Sequence, residues 1–378
     1  MAIALAAFIL LGAVDGALGV AWPAMRSAFS RGLADLGLLL ACGSAGYLGA
    51  STGYGRFHTR VGTGVALATG GALLAIGLAG VATAPAFWAL MGSAVLLGVG
   101  GGLVDAGMNA HAALEFDMRS INLLHAGYGV GATAGPLVIT VSLGAAGSWR
   151  AGYAFLAVTQ VALVALTLRR RHAWSASDPK DGEEATPVAP RLLLLLAPFL
   201  VYTGVEVGAG QWAFTLLTEG RGLSTAAAGA WVAAYWGGLT VGRFGLGLVG
   251  SRLRPDLTIN TSLVVALAGL GLLWWNPGSL GVVGLPLAGL GFASVFPMLV
   301  SLTPARIGRG RSTATVGYQL AAANIGAAAV PWLIGVIAER RGLATLAPGL
   351  VIATLVLIGV NLASERHHNP SRITRRSS

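Results

Sequence analysis

"AIALAAFILLGAVDGALGVAWPA", Ala2–Ala24, holds a single charged residue, Asp15. Roughly 20 apolar residues rise about 30 Å as a helix, enough to cross the hydrocarbon core of a bilayer. The same texture recurs in Val61–Ala82 and Leu343–Ala363, which carry no charge. Across all 378 residues, 55% are hydrophobic and 10% charged. A soluble domain usually carries about 25% charged residues, so there is too little polar surface here to coat a globule in water. The chain reads as a helical protein that crosses the membrane many times. Met1 is followed directly by apolar residues with no basic region, so the first segment is expected to be a permanent span rather than a cleaved signal. Cys42 is the only cysteine, which rules out an intrachain disulfide.

Twelve spans are predicted, near 2–26, 34–55, 61–82, 86–112, 120–146, 151–170, 191–217, 224–249, 256–275, 279–303, 312–338 and 343–363. Turn signals separate them, such as "NPGS" at Asn276–Ser279 and "GRGRS" at Gly308–Ser312. If both termini are cytoplasmic, 18 of the 24 Lys and Arg residues fall inside. The outside keeps Arg26, Arg31, Arg150, Arg221, Arg340 and Arg341. That excess on one side sets the orientation. It also accounts for the net charge of +10, so no nucleic-acid partner is expected.

The polar stretch at 172–190 reads as a cytoplasmic linker. It would join an N-terminal six-helix bundle, residues 1–171, to a C-terminal one, 191–363, with a basic cytoplasmic tail at 364–378. The halves look duplicated. "GATAGPLVI" (Gly131–Ile139) matches "GAAAVPWLI" (Gly326–Ile334) at an offset of 195. "GAVDGALGVAW" (Gly12–Trp22) resembles "GVEVGAGQW" (Gly204–Trp212), which sets Asp15 opposite Glu206. Internal repeats of this kind are common in transporters. The expected fold is an all-α membrane protein of 12 transmembrane helices in two pseudo-symmetric six-helix bundles.

Of 14 acidic residues, three lie inside spans: Asp15, Asp105 and Glu206. A carboxylate in hydrocarbon costs several kcal/mol, and such residues persist where they border a polar passage, find a partner or exchange protons. Counting about 1.5 Å per residue from the span ends places all three near the midplane, where transporters hold substrate and coupling ions. They are candidate proton-coupling groups; the competing reading is a hydrogen-bonded carboxyl that ties helices together. Asn109 shares a helix face with Asp105 at i+4, and its amide suits either a ligand hydroxyl or a neighbouring helix. His125 and Tyr128, at i and i+3, are a further polar pair, read as substrate contacts, as a proton relay or as packing. In the second half Gln211, Trp212, Tyr235, Trp236, Gln319 and Asn324 are aromatic or amide groups at depth. Flat rings and amides suit a sugar, although Trp212 also fits an interfacial anchor. There is no nucleotide cradle, metal cluster or nucleophile triad in the sequence. No enzyme activity, cofactor or metal is therefore expected.

Twelve spans, a central linker and a 6+6 duplication resemble the major facilitator superfamily. That family's loop motif, Gly-x-x-x-Asp-Arg-x-Gly-Arg-Arg, is matched here at Gly55, Arg60 and Gly62, with Thr59 at the Asp position. Its repeat keeps Gly247 and Arg252, and Arg243 joins this loop and gating set. Within the superfamily the chain looks like the fucose permease-like sugar:proton symporters. Asp15 fits the first-span aspartate of that group. "GGGLVDAGMN" (Gly100–Asn109) is similar to its Glu-x-x-x-Asn element, with Asp105 for the Glu, and "GVGATAGP" (Gly129–Pro136) to its GxGxxxGP run. The resemblance implies a monomeric proton-coupled symporter of a hexose-like solute, in the cell membrane (the inner membrane of a bacterium), working by alternating access. The rival is a proton-driven efflux antiporter. "GATAGPLVIT" (Gly131–Thr140) lacks the closing Gly-Gly of that group's motif, which favours import. A non-transporting sensor ranks third, since no extra soluble domain is present in the sequence.

Overall fold

Each apolar span of the sequence becomes a helix, because in lipid a helix satisfies every backbone N–H and C=O within itself. The computed structural model describes residues 1–170, 174, 190–249, 253–276 and 278–368. Among these the elements run α1 (Ala2–Ala28), α2 (Asp35–Val61), α3 (Thr63–Thr83), α4 (Phe87–Glu115), α5 (Met118–Ala146) and α6 (Trp149–Arg169). There follow α7 (Pro190–Thr218), α8 (Thr225–Val249), α9 (Pro255–Trp275), α10 (Gly284–Phe292), α11 (Val295–Ile307), α12 (Arg309–Arg341) and α13 (Leu346–His368). The Asp117 side chain caps α5 by accepting from the Ser120 N–H at 3.0 Å, and Ser148 caps α6 in the same way through Arg150. Gly62 closes α2 at φ +81°, a left-handed conformation that favours glycine.

The tenth span differs from the unbroken helix expected. A 3-10 turn, Gly278–Val283, leads into α10, and the chain breaks at Ala293–Ser294 before α11. Pro297 accounts for this, since it has no N–H to offer the Ala293 carbonyl one turn back. The Ser294 hydroxyl pairs with that of Ser262 on α9 at 2.6 Å. Counting α10 and α11 as one crossing, the fold is twelve transmembrane helices in two pseudo-symmetric six-helix bundles. Most of the linker, Arg252 and the tail beyond His368 lie outside the described residues.

Contacts group the chain into two compact units, Met1–Gly182 with Gly210–Gly237, and Glu183–Ala209 with Gly238–Ser378. Each contains one copy of the same helix crossing. In the first, Gly131 on α5 lies against α1 so closely that a Cβ there would strike the Ile9 carbonyl. In the second, Gly326 on α12 meets the Leu200 carbonyl of α7 in the same way. Pro136 faces Gly16 in one crossing and Pro331 faces Gly208 in the other. Small residues bring backbones into van der Waals contact, which is how helices associate in lipid. The matched sequence stretches are therefore matched contacts.

Candidate functional site

Asp15 lies in the middle of α1, and its carboxylate accepts a hydrogen bond from the Tyr128 hydroxyl of α5 at 2.7 Å. Its side chain is exposed within the first unit. Asp105 is half-buried on α4. It accepts from the Tyr47 hydroxyl of α2 at 2.5 Å and from the Asn109 amide at 2.9 Å. Asn109 also donates to the Asp105 backbone carbonyl at 2.9 Å, so its nitrogen is committed to the acid it was expected to accompany.

The two acids lie within electrostatic range of each other, and Tyr47 is within range of both. His125, exposed on α5 and edge-on to Phe8 at 5.4 Å, is within range of Asp105. Four helices of the first unit thus converge on one polar cluster: two carboxylates, each held by a phenol, with an amide and an imidazole beside them. The cluster extends to α7, where the Gln211 amide donates to the Asp15 carbonyl at 3.3 Å. Gln211 is buried, and among the described residues its Oε1 has no hydrogen-bond partner. Toward the ends of the same helices, Arg26 Nη2 donates to both carboxylate oxygens of Glu219, at 2.8 and 2.6 Å.

Glu206 is set differently. It is buried in the second unit, paired with Arg243 of α8 at 3.0 Å and adjoined by the Tyr202 hydroxyl. Arg243, grouped by sequence with the loop residues, instead reaches into the helix layer. The rest of the loop set lies at a helix end: Gly55 and Arg60 fall in the last turns of α2, Gly62 caps it, and Gly247 is exposed near the end of α8.

The aromatic and amide candidates separate by exposure. Trp212 and Tyr235 have no open surface, while Trp236 at 5% and Gln319 at 1% have almost none. Tyr235 and Trp236 stack edge to face at 5.2 Å, Trp236 lies against Gly210, and Gln319 accepts from Thr303 at 3.1 Å. In this conformation all four, like Gln211 at 4%, are packed among the helices. Asn324 remains partly open on α12. The reading from sequence missed Tyr47. Its signal was a lone aromatic hydroxyl among small residues, "GSAGYLGAS" (Gly43–Ser51), at span mid-depth.

Known proteins share this architecture. A yeast protein, Bypass of stop codon protein 6 of Saccharomyces cerevisiae, is 25% identical over 89% of this chain and 76% of its own length. A glucose/galactose transporter of Brucella abortus is 30% identical over 49% of this chain and 45% of its own, so the chain matches under half of that relative. The structure of the nucleoside transporter NupG superposes with TM-score 0.77 at 12% identity, covering 96% of this chain and 98% of its own. That of the E. coli fucose:proton symporter FucP does so with TM-score 0.65 at 15% identity and the same coverage. At such identities these two structures speak for the fold. The family model described as Major Facilitator Superfamily matches residues 4–331, and the chain belongs to that superfamily of multi-pass membrane transporters.

Proposed function

We propose that the protein is a proton-coupled symporter of a small polar solute, a hexose or close relative, with Asp15 and Asp105 as the proton-carrying groups. One observation carries this reading: Asp15 sits at mid-span, exposed, and its partner is a neutral phenol rather than a cation. A carboxylate held by a phenol can take up a proton without stranding a buried charge, whereas one held by a guanidinium cannot. Tyr128 and Tyr47 position the two acids, and His125 stands by as a relay. Gln211, with an unsatisfied acceptor beside Asp15, and Asn324 are the amides suited to solute hydroxyls. An unpaired buried acceptor is costly, and a sugar hydroxyl would satisfy it.

The names of the glucose/galactose transporter and the fucose:proton symporter support the solute class. The 18-to-6 split of basic residues supports cytoplasmic termini, and the transporter acts as a monomer. Proteoliposomes with an imposed pH gradient test the proposal. Labelled hexose should accumulate along the proton flow. Asp105→Asn should keep counterflow exchange and lose accumulation; full accumulation in that variant removes Asp105 from the coupling. Extrusion against the proton flow would instead mark an antiporter.

A further inference from the structure

The six arginines that the charge count leaves on the minority side have different fates. Arg26 is bound to Glu219. Arg31 lies over the Phe87 ring at 4.6 Å. Arg150 donates to the Ala82 carbonyl at 3.1 Å and covers the Trp149 ring at 4.5 Å. Arg221 also has a protein partner. Arg340 and Arg341, at the end of α12, are both exposed, and among the described residues neither has a hydrogen bond, ion pair or ring contact.

Both residues are among those lining a groove. It measures about 530 Å³ and is lined by Leu333, Val336, Ile337, Arg340, Arg341 and Thr345. That volume lies within the roughly 300–1,000 Å³ of small-ligand sites. Its floor is aliphatic, with Leu333 at 52% and Ile337 at 41% exposure. Leu333, Val336, Ile337 and Arg340 repeat at the three- and four-residue spacing of one helix face, so the apolar strip runs along α12 and ends at Arg340. Glu339 is outside the lining, about 100° round the helix from Arg340. Helix-dipole compensation explains basic residues in a last turn, but it does not explain an apolar channel leading to them.

We propose that this groove binds an anionic phospholipid, with one acyl chain along Leu333 and Ile337 and the phosphate held by Arg340 and Arg341. The chemistry is complementary at both ends. Guanidinium is the side chain best shaped for two-point phosphate contacts, and the strip below it is as apolar as the chain it would hold. A zwitterionic lipid fits the strip as well but offers the arginine pair no net charge.

The test is lipid-resolved native mass spectrometry, with thermal unfolding in detergent, on the full-length protein. Phosphatidylglycerol is the probe, compared with phosphatidylcholine of the same chains. The intact protein should retain and be stabilised by phosphatidylglycerol preferentially. Arg340→Gln with Arg341→Gln should weaken that binding by roughly twenty- to thirty-fold and leave phosphatidylcholine binding unchanged. Ile337→Trp, which fills the strip and keeps both arginines, should also abolish the preference, and it separates a lipid site from a bare charge effect. Unfolding temperature in phosphatidylcholine alone checks that each variant is folded. Equal binding of the two lipids, a preference that survives the double substitution, or displacement of the lipid by inorganic phosphate at equal concentration would each overturn the assignment.

Discussion

Asp15 and Glu206 occupy equivalent places in the two halves, on α1 and α7, yet they are held in opposite ways. Asp15 is open and bonded to a phenol. Glu206 is buried and paired with the Arg243 guanidinium. The surrounding scaffolds are alike, with glycines pressing α5 onto α1 and α12 onto α7. The duplication therefore preserved the helix crossings and let the charges diverge. What differs is whether neutralising the acid strands another charge. For Asp15 it does not. For Glu206 it removes the anion that faces the Arg243 guanidinium.

The sharpest way to break this comparison is neutralisation at each site. Asp15→Asn should reduce pH-driven accumulation to that of empty vesicles, while Glu206→Gln should retain it. Loss of accumulation in both would make the two acids equivalent after all. Next in size is a stability effect confined to the second half. Arg243→Ala leaves the buried Glu206 carboxylate without its cation and should cost about 2–3 kcal/mol, below the usual range for a buried pair because the Arg243 side chain is 31% exposed. Adding Glu206→Gln should restore much of it, measured as unfolding in detergent.

Smaller again is removal of the phenols. Tyr128→Phe and Tyr47→Phe each delete a hydrogen bond to an acid, an interaction of about 1.5–3 kcal/mol when the acceptor is charged. Coupled transport should fall by about tenfold or more, with counterflow exchange least affected; unaltered coupling in both would remove their positioning role. The smallest effect belongs to Arg26–Glu219, whose side chains are 26% and 31% exposed. Arg26→Gln should lower stability by less than about 1 kcal/mol, and the swap of both residues should recover it.

Much of the fold could be read in advance because a bilayer allows few solutions. A span near 20 residues with no unsatisfied backbone must be a helix, and a twofold repeat in sequence pairs Gly131 with Gly326 and Pro136 with Pro331. The break in the tenth span was also within reach through Pro297, had its missing N–H been counted. The site was only partly legible. Asp15, Asp105 and Tyr128 stood out because polar groups are rare at that depth. Trp212, Tyr235 and Gln319 stood out for the same reason and turned out to be packed away, because residue type does not reveal which face a helix presents to its neighbours.

The amino-acid sequence alone determined the crossings, their number and the superfamily, since hydropathy and span length are local properties that lipid enforces without reference to partners. Only the tertiary structure decided which acid met a phenol and which met a guanidinium. Tyr47 and Asp105 are 58 residues apart, and Tyr128 and Asp15 are 113 apart. Whether a carboxylate keeps its proton, shares it or is locked in a charge pair depends on groups a few ångströms away in space, and it is helix packing that brings those groups there.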